Sequence, residues 1–137
     1  MTTTIEDVQF IELPTRKKNG LYRVDIEENT IPFLFKRIYY LYDIPTSVKR
    51  GGHAHIAQNE ILIAIKGSFD VLIDDGSNKK IIKLDKPTIG FQIVTGIWRD
   101  LDNFSEGSIC MVLAQDVYDE KDYIREYEDF LEHKKKS

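Results

Sequence analysis

Between residues 60 and 114 the sequence breaks into short apolar runs, each ended by a turn signal, with no helical stripe among them. Residues 60–65 are apolar on both faces, which predicts a strand covered on both sides. Lys66-Gly67-Ser68 reads as a turn, after which Phe69, Val71 and Ile73 alternate with Asp70, Leu72 and Asp74. Asp74-Asp75-Gly76-Ser77 is a hairpin signal. Residues 80–84, 89–94 and 108–114 give further strands, the last two separated by a loop that holds the only tryptophan, Trp98. Upstream, residues 8–13 alternate weakly and end at Pro14, as an edge strand does. Residues 15–20 read as a basic loop, 21–26 as a strand, 33–42 as an aromatic and β-branched strand, and 43–52 as a loop. Helical spacing occurs only at the C-terminus, where Tyr123, Tyr127, Phe130 and Leu131 form one stripe after the acidic start Asp119-Glu120. This predicts a helix over about 119–134. Eight or nine short strands followed by one helix predict an all-β sandwich or barrel, with a jelly-roll barrel as the first choice.

A chain of 137 residues suits a single domain over 1–137, large enough to bury one substantial core. The net charge of −4 argues against nucleic acid as a partner but leaves room for one small phosphorylated ligand held by local arginines. Cys110 has no second cysteine to pair with and lies in an apolar run. With no signal-peptide pattern and no apolar run of about 18 residues, a cytoplasmic protein without membrane attachment is expected.

The chemistry concentrates in Arg50-Gly51-Gly52-His53-Ala54-His55. Two of the three histidines stand here at i and i+2, which on a strand puts both imidazoles on one face. The glycines before them leave the backbone open to close approach by a ligand. Nowhere else are groups that titrate near neutral pH paired in the sequence. His53-x-His55, four residues, Glu60, six residues and Gly67 resemble the first motif of the cupin superfamily, a small jelly-roll barrel. Metal-binding members hold a divalent ion with these residues and a histidine from a second motif. Here Gly90 fits that second motif, but Gly96 stands at its proline position and Leu101 where the histidine would fall. Two histidines and a carboxylate can still hold iron, so a metal-dependent cupin enzyme is one alternative.

A closer resemblance extends over about residues 8–131. It is carried by Ile31-Pro32-Phe33-Leu34-Phe35-Lys36-Arg37-Ile38-Tyr39-Tyr40-Leu41-Tyr42, the histidine motif, Gly67-Ser68, Asp74-Asp75-Gly76 and Trp98. Its most diagnostic part is Tyr118-Asp119-Glu120-Lys121-Asp122-Tyr123-Ile124-Arg125-Glu126-Tyr127. Together these resemble the dTDP-sugar 3,4-ketoisomerases of the FdtA/QdtA (WxcM-like) family. The resemblance implies a metal-free, cofactor-free, usually dimeric cupin that moves the carbonyl of dTDP-4-keto-6-deoxy-D-glucose from C4 to C3. The product would feed a PLP-dependent aminotransferase, giving a 3-amino-3,6-dideoxyhexose for a surface glycan or an antibiotic.

Such a reaction needs a base for the C3 proton, stabilisation of an enediolate and proton return at C4. Imidazoles suit both transfers, each typically contributing roughly 10²–10⁴-fold. His53 and His55 are assigned these transfers, with His55 as the principal base. Tyr39 or Tyr40 can hydrogen-bond the migrating oxygens, only one of them facing the barrel interior, and Arg37 shares the face of Tyr39. Arg50 is a diphosphate candidate, since a guanidinium fork matches phosphate geometry. Trp98 can wall the sugar pocket or pack the thymine, and Arg99 beside it completes the binding candidates. Glu60, where many relatives carry Gln, can orient an imidazole or raise its pKa. Asp122, Tyr123 and Arg125, placed on the predicted helix, are expected in packing or subunit contacts. Two further departures are Ile56 in place of a basic residue and Asn19-Gly20, between Arg16 and Arg23, in place of an Arg-Gly pair. The weakly alternating N-terminal segment, with Phe10 and Tyr22, predicts a homodimer in which this edge pairs with or swaps into a second subunit. A non-catalytic sugar-nucleotide-binding module is the other alternative.

Overall fold

The doubly apolar run at Glu60–Lys66 becomes a central strand because it has something to bury on each side. Its even-numbered Leu62 and Ala64 point into the main core, and its odd-numbered Ile61 and Ile63 point out beneath a second cluster. In this computed structural model residues 2–47 and 49–136 are described, residues 50 and 51 as backbone alone. The strands are β1 (Gln9–Glu12), β2 (Thr15–Lys18), β3 (Leu21–Val24), β4 (Arg37–Leu41), β5 (Arg50–His55) and β6 (Glu60–Lys66). They continue with β7 (Phe69–Asp74), β8 (Lys79–Leu84), β9 (Ile89–Ile93), β10 (Trp98–Asp102), β11 (Ile109–Ala114) and β12 (Tyr123–Ile124). One helix, α1 (Tyr127–Lys135), follows.

Two antiparallel five-stranded sheets form the expected jelly-roll barrel, in the orders β1-β9-β6-β11-β4 and β12-β5-β10-β7-β8. Between them lie Phe69, Val71 and Ile73, each at most 1% exposed. Burial of such a side chain stabilises by about 1.5–3 kcal/mol. Outside the first sheet, Ile61, Ile63 and Leu113 are roofed by Leu13, Ile31, Phe33 and Phe35. That roof corrects the strand expected over 33–42: its first residues lie across the sheet, and pairing starts only at Arg37. Outside the second sheet, Ala54, Trp98, Ile124 and Phe130 make a third cluster under α1.

Four further differences have physical causes. The basic segment at 15–20 is not a loop but half of a two-stranded hairpin, β2–β3. Its turn is Asn19-Gly20, with φ of 52° and 78°, the positive values that a two-residue type I′ turn requires. The predicted loop at Trp98 is strand β10, paired on both sides by β5 and β7. The predicted loop over 43–52 ends early, because β5 already begins at Arg50. The predicted helix from about residue 119 starts at Tyr127; before it, Asp119 caps a short 3₁₀ turn (Glu120–Asp122), and Tyr123-Ile124 add an edge strand to β5. The Asp74-Asp75 turn is more than a connection, since Asp74 Oδ2 accepts from the Tyr127 hydroxyl at 2.6 Å and Asp75 Oδ2 from the Ile5 amide at 2.9 Å. Among the described residues no helix is long and apolar enough to cross a membrane.

Candidate active site

Alternation along β5 turns His53 and His55 into the barrel and leaves Ala54 on the outside, in the cluster under α1. Gly52 belongs to that outer side as well. A Cβ on it would lie 2.9 Å from Asp100 Oδ1, so the glycine there admits the neighbouring strand rather than a ligand. Directly across from His53, β10 presents Arg99; β6 presents Glu60 at its start; β4 turns Arg37 and Tyr39 inward. On the outer edge, β12 pairs Tyr123 with His55.

These groups form one connected cluster. His53 Nε2 and His55 Nε2 are 3.2 Å apart, which places one hydrogen between the two nitrogens. His55 Nδ1 lies 2.9 Å from Asp122 Oδ2, and His55 Nε2 lies 3.3 Å from Glu60 Oε1. Glu60 also accepts from Arg99 Nη1 at 2.7 Å and from the Tyr39 hydroxyl at 3.2 Å. The Tyr123 ring covers both imidazoles, with centroid distances of 5.0 Å to His53 and 4.4 Å to His55. Arg125 stacks on that ring at 4.4 Å, and Arg37 lies between the rings of Tyr39 and Tyr118. Burial pushes the Glu60 carboxyl up, but the His55 hydrogen bond and the charges of Arg99 and the histidines outweigh it, leaving it at about 2. Burial, reinforced by the Glu60 charge, pushes the Tyr39 phenol well above its usual value, so that it stays a hydrogen-bond donor.

A cavity of about 170 Å³ opens onto this cluster, lined by Tyr39, Leu41, His53, Glu60, Arg99 and Arg125 among others. His53 reaches it; His55, with no exposed surface, stands behind. Arg99 is 2% exposed, and its Nε and Nη2 have no hydrogen-bond partner among the described residues. These donors can serve an anionic oxygen in the cavity. A wider open cleft of about 710 Å³ lies elsewhere, between Thr2–Thr4, the β7–β8 turn and Lys134, and no histidine lines it.

The family model described as FdtA: WxcM-like, C-terminal matches residues 6–135. The chain belongs to that family. A relative in Aneurinibacillus thermoaerophilus, TDP-4-oxo-6-deoxy-alpha-D-glucose-3,4-oxoisomerase, is 42% identical over 111 residues, 80% of each chain. Among solved structures, QdtA, a sugar 3,4-ketoisomerase from Thermoanaerobacterium thermosaccharolyticum in complex with TDP, aligns with a TM-score of 0.93 at 33% identity, over 97% of this chain and 98% of that one. The same QdtA has been crystallised as a histidine-to-asparagine mutant in complex with TDP-4-keto-6-deoxyglucose. A 3,4-ketoisomerase from Helicobacter canadensis aligns with a TM-score of 0.91 at 38% identity, over 94% of this chain and 98% of that one.

Within this FdtA-type barrel the sequence-derived candidates divide. His53, His55, Tyr39, Glu60, Arg37 and Arg99 are brought together. Tyr40 is not: it is 62% exposed on the outer face, the opposite side from Tyr39. Trp98 is not either; it packs edge-on against Tyr127 and beside Phe130, with its Nε1 donating to Asp100 at 3.1 Å. The expectation for the Arg50 side chain falls outside the described side chains. Arg16 and Arg23 stand opposite each other on the β2–β3 hairpin, both bonded to Asp25. The residues that sequence reasoning placed in packing, Asp122, Tyr123 and Arg125, instead touch or line the histidine cluster. The signal that could have found them was the signature itself, a dense run of acidic, aromatic and basic residues over 118–127.

His53, His55 and Glu60 carry donor atoms within 4.8 Å of one another, a set of a kind that transition metals accept. The fit is poor, however. Glu60 Oε1 is already held by the Arg99 guanidinium at 2.7 Å, so a cation there would sit against a fixed positive charge.

Proposed function

We propose that this protein is a sugar-nucleotide 3,4-ketoisomerase that converts TDP-4-keto-6-deoxyglucose to its 3-keto isomer, with His53 as the base that meets the sugar. The observation that carries the assignment is the placement of His53 on the cavity wall, backed by His55 and flanked by buried donors. The named relatives, one of them solved with this sugar nucleotide, support the substrate. The preference for His55 as base gives way to His53 because His55 has no surface facing the cavity.

In this reading His53 takes the C3 proton, and the electron pair becomes the C3–C4 double bond. The former carbonyl oxygen at C4 becomes an enediolate oxygen, stabilised by the unpartnered N–H groups of Arg99 and by the Tyr39 hydroxyl. The O3 proton passes to O4, and the proton held by His53 is delivered to C4. The bond orders then reverse and the carbonyl stands at C3. Arg125, which lines the cavity, and Arg37, over the neighbouring Tyr39 ring, suit the diphosphate. A 3-keto product is what a 3-aminotransferase consumes.

Proton NMR of TDP-4-keto-6-deoxyglucose incubated with the protein in D₂O tests this. The expected result is a new 3-keto species with deuterium at the exchanging carbons, unchanged by a chelator. Tight TDP binding with neither exchange nor product would make the protein a binding module. Loss of turnover with the chelator, restored by added metal, would make it a metal-dependent enzyme.

We also propose that the protein is a homodimer. The first strand pairs with β9 of its own chain, so no strand swap is needed to satisfy it. The β4 edge leaves Ile38 52%, Tyr40 62% and Tyr42 63% exposed, an apolar border that a second copy would cover. Light scattering at micromolar concentration should give twice the 16.0 kDa chain mass. A single-chain mass would count against the dimer.

A further inference from the structure

Asp122 is a carboxylate in contact with His55 to which the ketoisomerase reading gives no task. It does not line the cavity, and its side chain is 11% exposed. Three backbone ties hold it still. Its Oδ1 accepts from the Ala57 amide at 2.6 Å, its carbonyl accepts from the Ile56 amide at 3.0 Å, and its own amide donates to Asp119 at 3.0 Å. The turn that carries it is thereby clamped onto the end of β5, and Oδ2 is left facing His55 Nδ1 at 2.9 Å.

The charges around His55 come from every neighbouring element. From β6 comes Glu60, 3.3 Å from Nε2; from β5, His53; from β12, the Tyr123 ring; Arg99 on β10 and Arg37 on β4 approach through Glu60. Arg125 pairs with Glu120 and stacks on the Tyr123 ring. The two acids in contact with His55 therefore differ. Glu60 is neutralised by a guanidinium. Asp122 has, among the described residues, no lysine or arginine within 4.0 Å; its Oδ1 takes the Ala57 amide, and its Oδ2 faces the imidazole.

A carboxylate can only accept, so His55 must place a hydrogen on Nδ1. The facing Nε2 atoms then share one further hydrogen. We propose that Asp122 is a positioning residue that fixes this hydrogen inventory and stabilises the positive charge the pair acquires when His53 takes a proton from the sugar. The proposal rests on the ketoisomerase reading for its kinetic consequence, though not for the placement of the hydrogens.

The kinetic test is Asp122→Asn. Removing the charge should cut kcat by about 10²-fold, the low end of the usual contribution of a proton-transfer group. The acid limb of the kcat/KM profile should move to lower pH, because an imidazole that loses a neighbouring anion holds its proton less tightly. KM and TDP affinity should stay at wild-type values, and Asp122→Glu should restore part of kcat. A variant that keeps wild-type kcat would overturn the proposal. So would a lowered kcat with an unmoved acid limb, or parallel losses of kcat and TDP affinity, which would mark Asp122 as a structural clasp. The placement of the hydrogens is read separately from ¹⁵N-histidine NMR of the resting wild-type protein, whatever the variants do. A hydrogen on His55 Nδ1 is expected there, and an Nδ1 without one sinks the idea. If the wild-type protein does not isomerise the sugar, the functional reading fails while this NMR result stands or falls by itself.

Discussion

His53→Asn should abolish exchange of the C3 proton while TDP still binds. Asparagine keeps the size and a hydrogen-bonding edge but cannot hold a proton at neutral pH. The loss should therefore approach the upper part of the range for a general base, roughly 10³–10⁴-fold. His55→Asn should be less severe, since His55 acts through its neighbour and has no surface on the cavity. Both effects are read in one experiment, the rate of deuterium entry at C3 by proton NMR, with calorimetric titration of TDP as the control for binding. Sustained exchange in His53→Asn would remove His53 from the chemistry. An equal collapse of exchange in both variants would instead make the pair indivisible.

Glu60→Ala should have the largest effect on stability. Glu60 is 1% exposed and joins His55, Arg99 and Tyr39. Truncation would leave the 2%-exposed Arg99 guanidinium without its counter-charge. Breaking one side of a buried pair typically costs about 3–5 kcal/mol. Glu60→Gln, which keeps an acceptor for Arg99 and Tyr39, should cost much less. Urea unfolding at pH 7 decides between them, and an alanine variant as stable as wild type would contradict the cluster. The pH dependence follows from the same carboxyl. Its folded value of about 2 lies below its ordinary 4.5, so folding favours the ionised form. Its contribution is fully present above the ordinary value and is lost as pH falls through that range towards about 2. Wild-type stability should thus decline on acidification over that window, and the Glu60→Gln variant should show less of the decline.

The barrel was legible wherever apolar periodicity and burial agreed. Phe69, Val71 and Ile73 alternate in the sequence and are buried in the core; the run 60–65 is apolar on both faces and covered on both. Reading failed where function or a turn inverted the pattern. In Trp98-Arg99-Asp100-Leu101-Asp102 the inward positions are Arg99 and Leu101, and the large apolar Trp98 faces outward under α1. A charged residue in an interior slot hides a strand, and a functional site is where such a violation is expected. The β2 strand was missed for a simpler reason: Thr15–Lys18 is exposed throughout and has no apolar face, so only Asn19-Gly20 marked the hairpin. Within the site, the histidine pair, Glu60, Arg37, Tyr39 and Arg99 could be named from local spacing and resemblance. Asp122 and Tyr123 could not be placed, because Tyr123 fits the helical spacing of Tyr127, Phe130 and Leu131 while in fact pairing with His55 on a sheet.

The order in which the polypeptide is made gives that last pairing a further consequence. Strands β1 to β11 precede β12 and α1 in the chain, and segments generally fold as they emerge. Every strand of the barrel except β12 is complete once Ala114 has emerged, yet the aspartate and tyrosine that clasp the histidines come later, with the helix that shields Trp98 behind them. A ribosome that stalls between these points, or a protease that clips the tail, would leave a formed barrel with a bare tryptophan and an unclasped histidine pair. The contacts on the histidine pair would thus close only after β12 and α1 have emerged, and tryptophan fluorescence would report the docking of α1 over Trp98.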